Sequence, residues 1–88
     1  MQNKMNHPML IALEQAKLAF DEEEVPVGAV ITASKTGKII AKAHNQVRRL
    51  NDPTAHAEIL AIRSASNSIG NSRLAGFNLF VTLEPCAM

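Results

Sequence analysis

Asp52-Pro53-Thr54-Ala55-His56-Ala57-Glu58-Ile59-Leu60-Ala61-Ile62-Arg63 (DPTAHAEILAIR, residues 52–63) is the stretch on which the fold turns. Aspartate followed by proline is a helix cap followed by a first-turn residue whose missing N–H would have had no partner. Ile59, Leu60, Ile62 and Arg63 then carry a helix to about Asn67. This helix falls between strand-like segments, and the rest of the reading follows from that placement.

Working upstream, Pro8 reads as a first-turn proline with Asn6 or His7 at the cap. Met9, Leu13, Ala16 and Phe20 recur on one face of a first helix, which ends in the acidic run Asp21 to Glu24. Four successive carboxylates without an Asp-rich loop pattern read as a solvated helix end with no chemistry. Val25 to Thr32 is apolar on both parities, as in a strand covered on two faces, and Gly28 within it signals close approach by backbone or ligand. Ser34 to Gly37 is a turn, Lys38 to Ala43 a hairpin partner at the sheet edge, and His44 to Asp52 a loop. Downstream, Gly70 to Gly76 is loop and Asn78 to Leu83 a third strand. The order α-β-β-α-β, with a helix between strands expected to pair in parallel, predicts a layered α/β fold.

The chain's 88 residues fit one small domain, and 47% hydrophobic against 19% charged residues predicts a folded core rather than disorder. A net charge of +1 and three phenylalanines as the whole aromatic complement give neither an electrostatic footprint for nucleic acid nor a stacking platform. If RNA is the partner, much of the contact surface lies outside this chain. A single cysteine forms no internal disulfide, the N-terminus lacks a secretory layout, and no apolar run approaches the roughly 20 residues that span a bilayer. The expectation is a cytoplasmic protein with no membrane role.

His56-Ala57-Glu58 carries the first hint of chemistry. Positions i and i+2 of a regular helix point roughly 200° apart and share no face. At a helix start, however, side chains lean toward the N-terminus and can converge beyond the helix end, where free N–H groups and the macrodipole favour an anion. Pro85-Cys86 offers a similar setting after the third strand, with a thiolate favoured at a helix N-terminus. A catalytic zinc takes three protein ligands and keeps an open position for water; His56 and Cys86 supply two. Against this, a lone His-x-Glu is common by chance, a lone cysteine in an apolar setting is usually core, and His7 and His44 read as solvated. Cys86 as a thiol nucleophile with His56 as base leaves Glu58 without a role.

Taken together, EVPVGAV, DPTAHAEILAIR and VTLEPCAM resemble the bacterial tRNA adenosine deaminases of the zinc-dependent cytidine deaminase-like superfamily, whose signature is H-x-E followed by P-C-x-x-C. The resemblance implies a three-layer α/β/α fold of which residues 1–88 are the N-terminal portion of one domain, with the last strands and helices missing. It implies Zn2+ held by His56 and Cys86, and Glu58 as the proton shuttle that lets water attack C6 of adenine. It also implies substrate contacts from Asn45, from the backbone of Ala57, and from Val27 and Gly28 beside the pocket. The substrate would be the tRNA anticodon loop, adenosine becoming inosine at the wobble position, and the enzyme a homodimer. The family's third metal ligand would follow Met88, so the expected zinc site is incomplete, with activity impaired or absent. Exposed apolar faces and an unpaired strand edge predict aggregation or partial unfolding of the isolated chain. Two other readings stand beside this one: a non-catalytic fragment of a deaminase, and a cytosine or guanine deaminase of the same superfamily.

Overall fold

The computed structural model describes residues 7–70 and 76–82. Helix α1 (Pro8–Asp21) begins at His7, whose Nδ1 accepts the Met9 N–H at 3.1 Å, with the proline in the first turn. Strands β1 (Gly28–Ala33) and β2 (Ile39–His44) form an antiparallel hairpin. A short helix α2 (Val47–Leu50), helix α3 (Ala57–Ile69) and strand β3 (Phe77–Val81) complete the described order. The loop expected over residues 44–52 therefore contains a helical turn, which Asn51 ends in the left-handed region at φ 52°.

The sheet order is β2-β1-β3, and both ladders are antiparallel. This corrects the expectation of a parallel pair. The chain crosses from β2 through α3 to the far side of β1, so β2 and β3 point the same way without touching. The hairpin carries a register shift: Ile31 faces Ala41 but Thr32 faces Ile39, leaving Ile40 as the extra residue of a bulge. That bulge accounts for the imperfect alternation of the β2 sequence.

β1 is buried on both faces, as its sequence predicts. Ala29 and Ile31 join Ala41 and Ala43 of β2 and Ala57, Ala61 and Ala65 of α3 in one apolar cluster. Gly28 is turned toward α1 on the other face, where a Cβ would come within 2.7 Å of the Ala16 nitrogen and of Gln15 Cβ. The close approach signalled by Gly28 is thus by backbone. The helices sandwich the sheet in three α/β/α layers.

The apolar residues that α1 and α3 bury are alanines rather than large ones. The buried stripe of α1 is Ala12, Gln15, Ala16 and Ala19, while Leu13 is 52% and Phe20 66% exposed. The face expected from Met9, Leu13, Ala16 and Phe20 is therefore rotated. A helix lying this close to a strand backbone can present only small side chains to it, so the large ones turn outward. In α3 the same holds for Ala57, Ala61 and Ala65, with Ile62 40% exposed.

Candidate active site

The start of β1 and the ends of β2 and β3 lie at one end of the sheet, since Gly28 faces His44 and Ala29 faces Val81. Hydrogen bonds stitch that end together. The Gly28 N–H donates to Thr82 Oγ1 at 2.9 Å, and the Thr82 N–H returns to the Gly28 carbonyl at 3.0 Å. Next door, the Asn45 N–H donates to the Val27 carbonyl at 3.1 Å. Asn45 is buried, and its Oδ1 accepts the N–H of Ala57 at 2.8 Å. One route therefore runs from the end of β3, across β1, to the first residue of α3.

Helix α3 starts later than its sequence predicts. Asp52 does not cap it: Asp52 Oδ1 accepts the Thr54 N–H at 2.9 Å and the Thr54 hydroxyl at 2.7 Å, making a local turn. Those two bonds hold the Asp52 carboxyl below its ordinary range, against the opposing effect of burial and with help from the Arg63 charge. The Ncap position falls to His56, in extended backbone at φ −81° and ψ 151°, and the helix closes on Gly70 at φ 69°. The His56 side chain makes no capping bond, and the Ala57 N–H, one of the helix's unpaired first-turn donors, finds its acceptor in Asn45 from another segment.

His56 is exposed, and Glu58 lies half-buried in the first turn of α3. Both are therefore at the positive end of the helix, the placement the His-x-Glu spacing requires. Ala57 between them is fully buried. Val27 packs against the alanine cluster. Cys86 lies outside the described residues. Among the described residues no group of three or more His, Cys, Asp or Glu side chains is placed to hold a metal ion. Two surface clefts lie elsewhere: one of about 360 Å³ lined by Glu22, Glu23, Arg48 and Arg49, and one of about 190 Å³ lined by Ile31, Ile62, Phe77, Asn78 and Leu79.

The acidic run and His44 differ most from expectation. Glu24 is 6% exposed, and its two oxygens accept the N–H groups of Arg48 at 3.0 Å and Arg49 at 2.7 Å. Burial pushes its carboxyl up, but the two backbone bonds with the Arg48 and His44 charges outweigh that and hold it below the ordinary carboxylate value. His44 is not solvated. Its ring is bracketed by Gln15 Oε1 at 3.2 Å and Glu22 Oε1 at 3.0 Å. No spacing rule reveals such contacts, because the partners stand more than twenty residues apart in the chain.

Comparison with known proteins agrees with this geometry. Residues 2–88 match the family described as the cytidine and deoxycytidylate deaminase zinc-binding region. A tRNA-specific adenosine deaminase of Aquifex aeolicus is 56% identical over 78 residues, 89% of this chain and 50% of the relative. That of Agrobacterium fabrum is 50% identical over 82 residues, 93% of this chain and 53% of the relative. Among solved structures, a tRNA:A34 deaminase studied for A-to-I editing at the wobble position matches with a TM-score of 0.84 at 47% identity, covering 97% of this chain and 64% of that one. Guanine deaminase from Bacillus subtilis matches at 0.79 and 38% identity, covering 98% and 54%. The chain belongs to the cytidine and deoxycytidylate deaminase family, through that family's zinc-binding region. It spans about half the length of the curated relatives it matches.

Proposed function

We propose that this chain contributes to a zinc-dependent deaminase that converts adenosine to inosine in the anticodon loop of tRNA, at the wobble position. The observation that carries the reading is His56-Ala57-Glu58 standing at the N-terminus of α3, with the His56 ring exposed and uncommitted to a capping bond. An imidazole so placed has the donor chemistry zinc takes, and the sequence offers Cys86 as its companion. Bound zinc would supply Lewis-acid activation of water and so lower its pKa.

Each residue then has a separate task. Glu58 accepts a proton from the attacking water and passes protons to the adenine ring and the departing ammonia, so C6 gains oxygen and loses nitrogen. For that it must stay off the metal. With Asn45 Oδ1 committed to the Ala57 N–H, the Asn45 Nδ2 group is left to donate to the nucleoside. Val27 and Gly28 border the pocket through their backbone, the Val27 carbonyl tethering Asn45 and Gly28 tethering Thr82.

The test is inosine formation from an anticodon stem-loop by the zinc-loaded chain continued through the family's second cysteine. Glu58→Gln should lower the rate by about 10²- to 10⁴-fold, the usual contribution of a positioned acid-base group, with zinc content unchanged. A second reading, deamination of free guanine or cytosine, is favoured by the likeness to guanine deaminase, and the same assay run on free bases distinguishes the two. Metal-free protein inert to every substrate would instead establish a non-catalytic role. A cytoplasmic location and the homodimer belong to the tRNA reading, sedimentation testing the latter. No helix among the described residues is long and apolar enough to cross a membrane.

A further inference from the structure

Glu24 joins three segments. Its own N–H donates to the Ala19 carbonyl at 2.9 Å, fixing it to the end of α1. Its carboxylate takes the Arg48 and Arg49 N–H groups, which are unpaired donors at the start of α2, where Gln46 makes no side-chain cap. The clasp is reinforced by Glu22 Oε2 accepting from Arg49 at 3.2 Å and by Arg48 donating to the Glu23 carbonyl at 3.1 Å. The clasped segment runs from Asn45 to His56. Within it the Gln46 N–H donates to the Ala55 carbonyl at 2.9 Å and the Asp52 N–H to the Val47 carbonyl at 3.0 Å, so holding α2 also holds both ends of the segment.

We infer that Glu24 is a positioning residue for the active site: by holding the start of α2 it keeps Asn45 on the Ala57 N–H, and with it the first turn of α3 that presents His56 and Glu58. What that site does rests on the deaminase reading; the coupling from Glu24 to Ala57 does not. Hydrogen bonds to a carboxylate are stronger than neutral ones, and a buried N–H left without its acceptor is penalised further. Glu24 thus holds α2 more firmly than an ordinary turn residue would. Its carboxylate bonds to the backbone of Arg48 and Arg49, so its influence passes through the backbone.

The experiment is native-state amide exchange on the full 88-residue chain, unsubstituted and as Glu24→Ala and Glu24→Gln. In Glu24→Ala the amides of Arg48, Arg49 and Ala57 should exchange about tenfold faster or more, while Val30 and Ile31 in β1 keep their protection. Glu24→Gln, close in shape and able to accept one N–H, should fold and show an intermediate loss. Equal acceleration at every amide would make Glu24 a contributor to global stability alone and overturn the inference. So would an Ala57 amide that stays protected while Arg48 and Arg49 open. Inosine formation is measured separately, on the chain continued through the family's second cysteine: absence of product with selective exchange at Ala57 removes the deaminase reading only, whereas unimpaired turnover with Ala57 protected removes the role of Glu24 only.

Discussion

Two carboxylate-bearing helix ends face different tasks in this molecule. At the start of α3, Glu58 is half-buried beside an exposed His56 that makes no capping bond. At the end of α1, Glu24 is buried with both oxygens bonded to backbone N–H groups. A group that must exchange protons with a substrate cannot have its lone pairs permanently occupied, whereas a group that holds a loop must. On the proposed reading the first end is the one that carries chemistry, while the bonds of Glu24 make the second a support.

The comparison is broken most severely by disturbing the layer both ends depend on. Gly28→Ala places a methyl group against the α1 backbone at the Ala12 carbonyl and Ala16 nitrogen. Backbone cannot step aside as a flexible side chain can, so α1 must lift off β1 and carry the Glu24 turn with it. A loss of about 3 kcal/mol is expected, at the upper end of overpacking effects. Denaturant unfolding measures it, and a change under about 0.5 kcal/mol, typical of an exposed site, would mean that α1 and β1 are less tightly opposed.

Asn45→Ala is the next largest. It removes the acceptor from a buried Ala57 N–H and costs about 1–3 kcal/mol if nothing replaces it. Asn45→Asp keeps an acceptor at that atom while removing the Nδ2 donor, so despite the cost of burying a charge it should melt above Asn45→Ala and lose substrate affinity. Measuring both variants by thermal melting and by KM separates the structural half of Asn45 from the binding half. If the two melt alike, the Ala57 bond is not what Asn45 provides.

How much of this was legible in the sequence follows the same divide. His-x-Glu at a helix start, the proline-led α1, the hairpin and a doubly covered β1 all rest on neighbours a few residues apart, and the element order follows from them except for the short α2 within the expected loop. The alanine stripes of α1 and α3 were not, because hydropathy patterns give weight to Leu13 and Phe20, while a close helix-to-sheet contact selects for smallness. The cap assigned to Asp52 was displaced by four residues because Thr54 captures that carboxylate locally. Glu24 and His44 read as solvated in the sequence, since the contacts that bury them span β1 and the hairpin.

Acid separates the two ends more gently. The folded-state pKa of Glu24 lies below its ordinary value of 4.5, so the native state binds this proton less readily than the unfolded chain does. Its stabilisation is complete above that ordinary value and is lost as pH falls through the lowered folded value; Asp52 acts in the same direction. Between about pH 6 and about pH 3 the unfolding midpoint should fall, and Glu24→Gln should flatten that decline. The groups facing Glu24 include His44, Arg48 and Arg49, whose charges all favour the ionised carboxylate or bond to it. A decline equally steep in Glu24→Gln would assign the acid sensitivity to other carboxylates.

The smallest effect sharpens the contrast inside the acidic run itself. Asp21 pairs with Lys17 one helical turn back at 3.2 Å, and the two side chains are 53% and 74% exposed. Water screens such a pair, and ordering two mobile side chains offsets most of the attraction, so Lys17→Ala should change stability by about 0.3–0.5 kcal/mol. Raising the salt concentration should erase even that, because exposed charges are screened within a Debye length. Only two residues separate Asp21 from Glu24, yet Glu24 is expected to couple to Ala57 and Asp21 to nothing beyond its own turn. If Lys17→Ala also loosened the Ala57 amide, the whole run would act as one electrostatic unit, and the distinction between its buried and solvated carboxylates would fail.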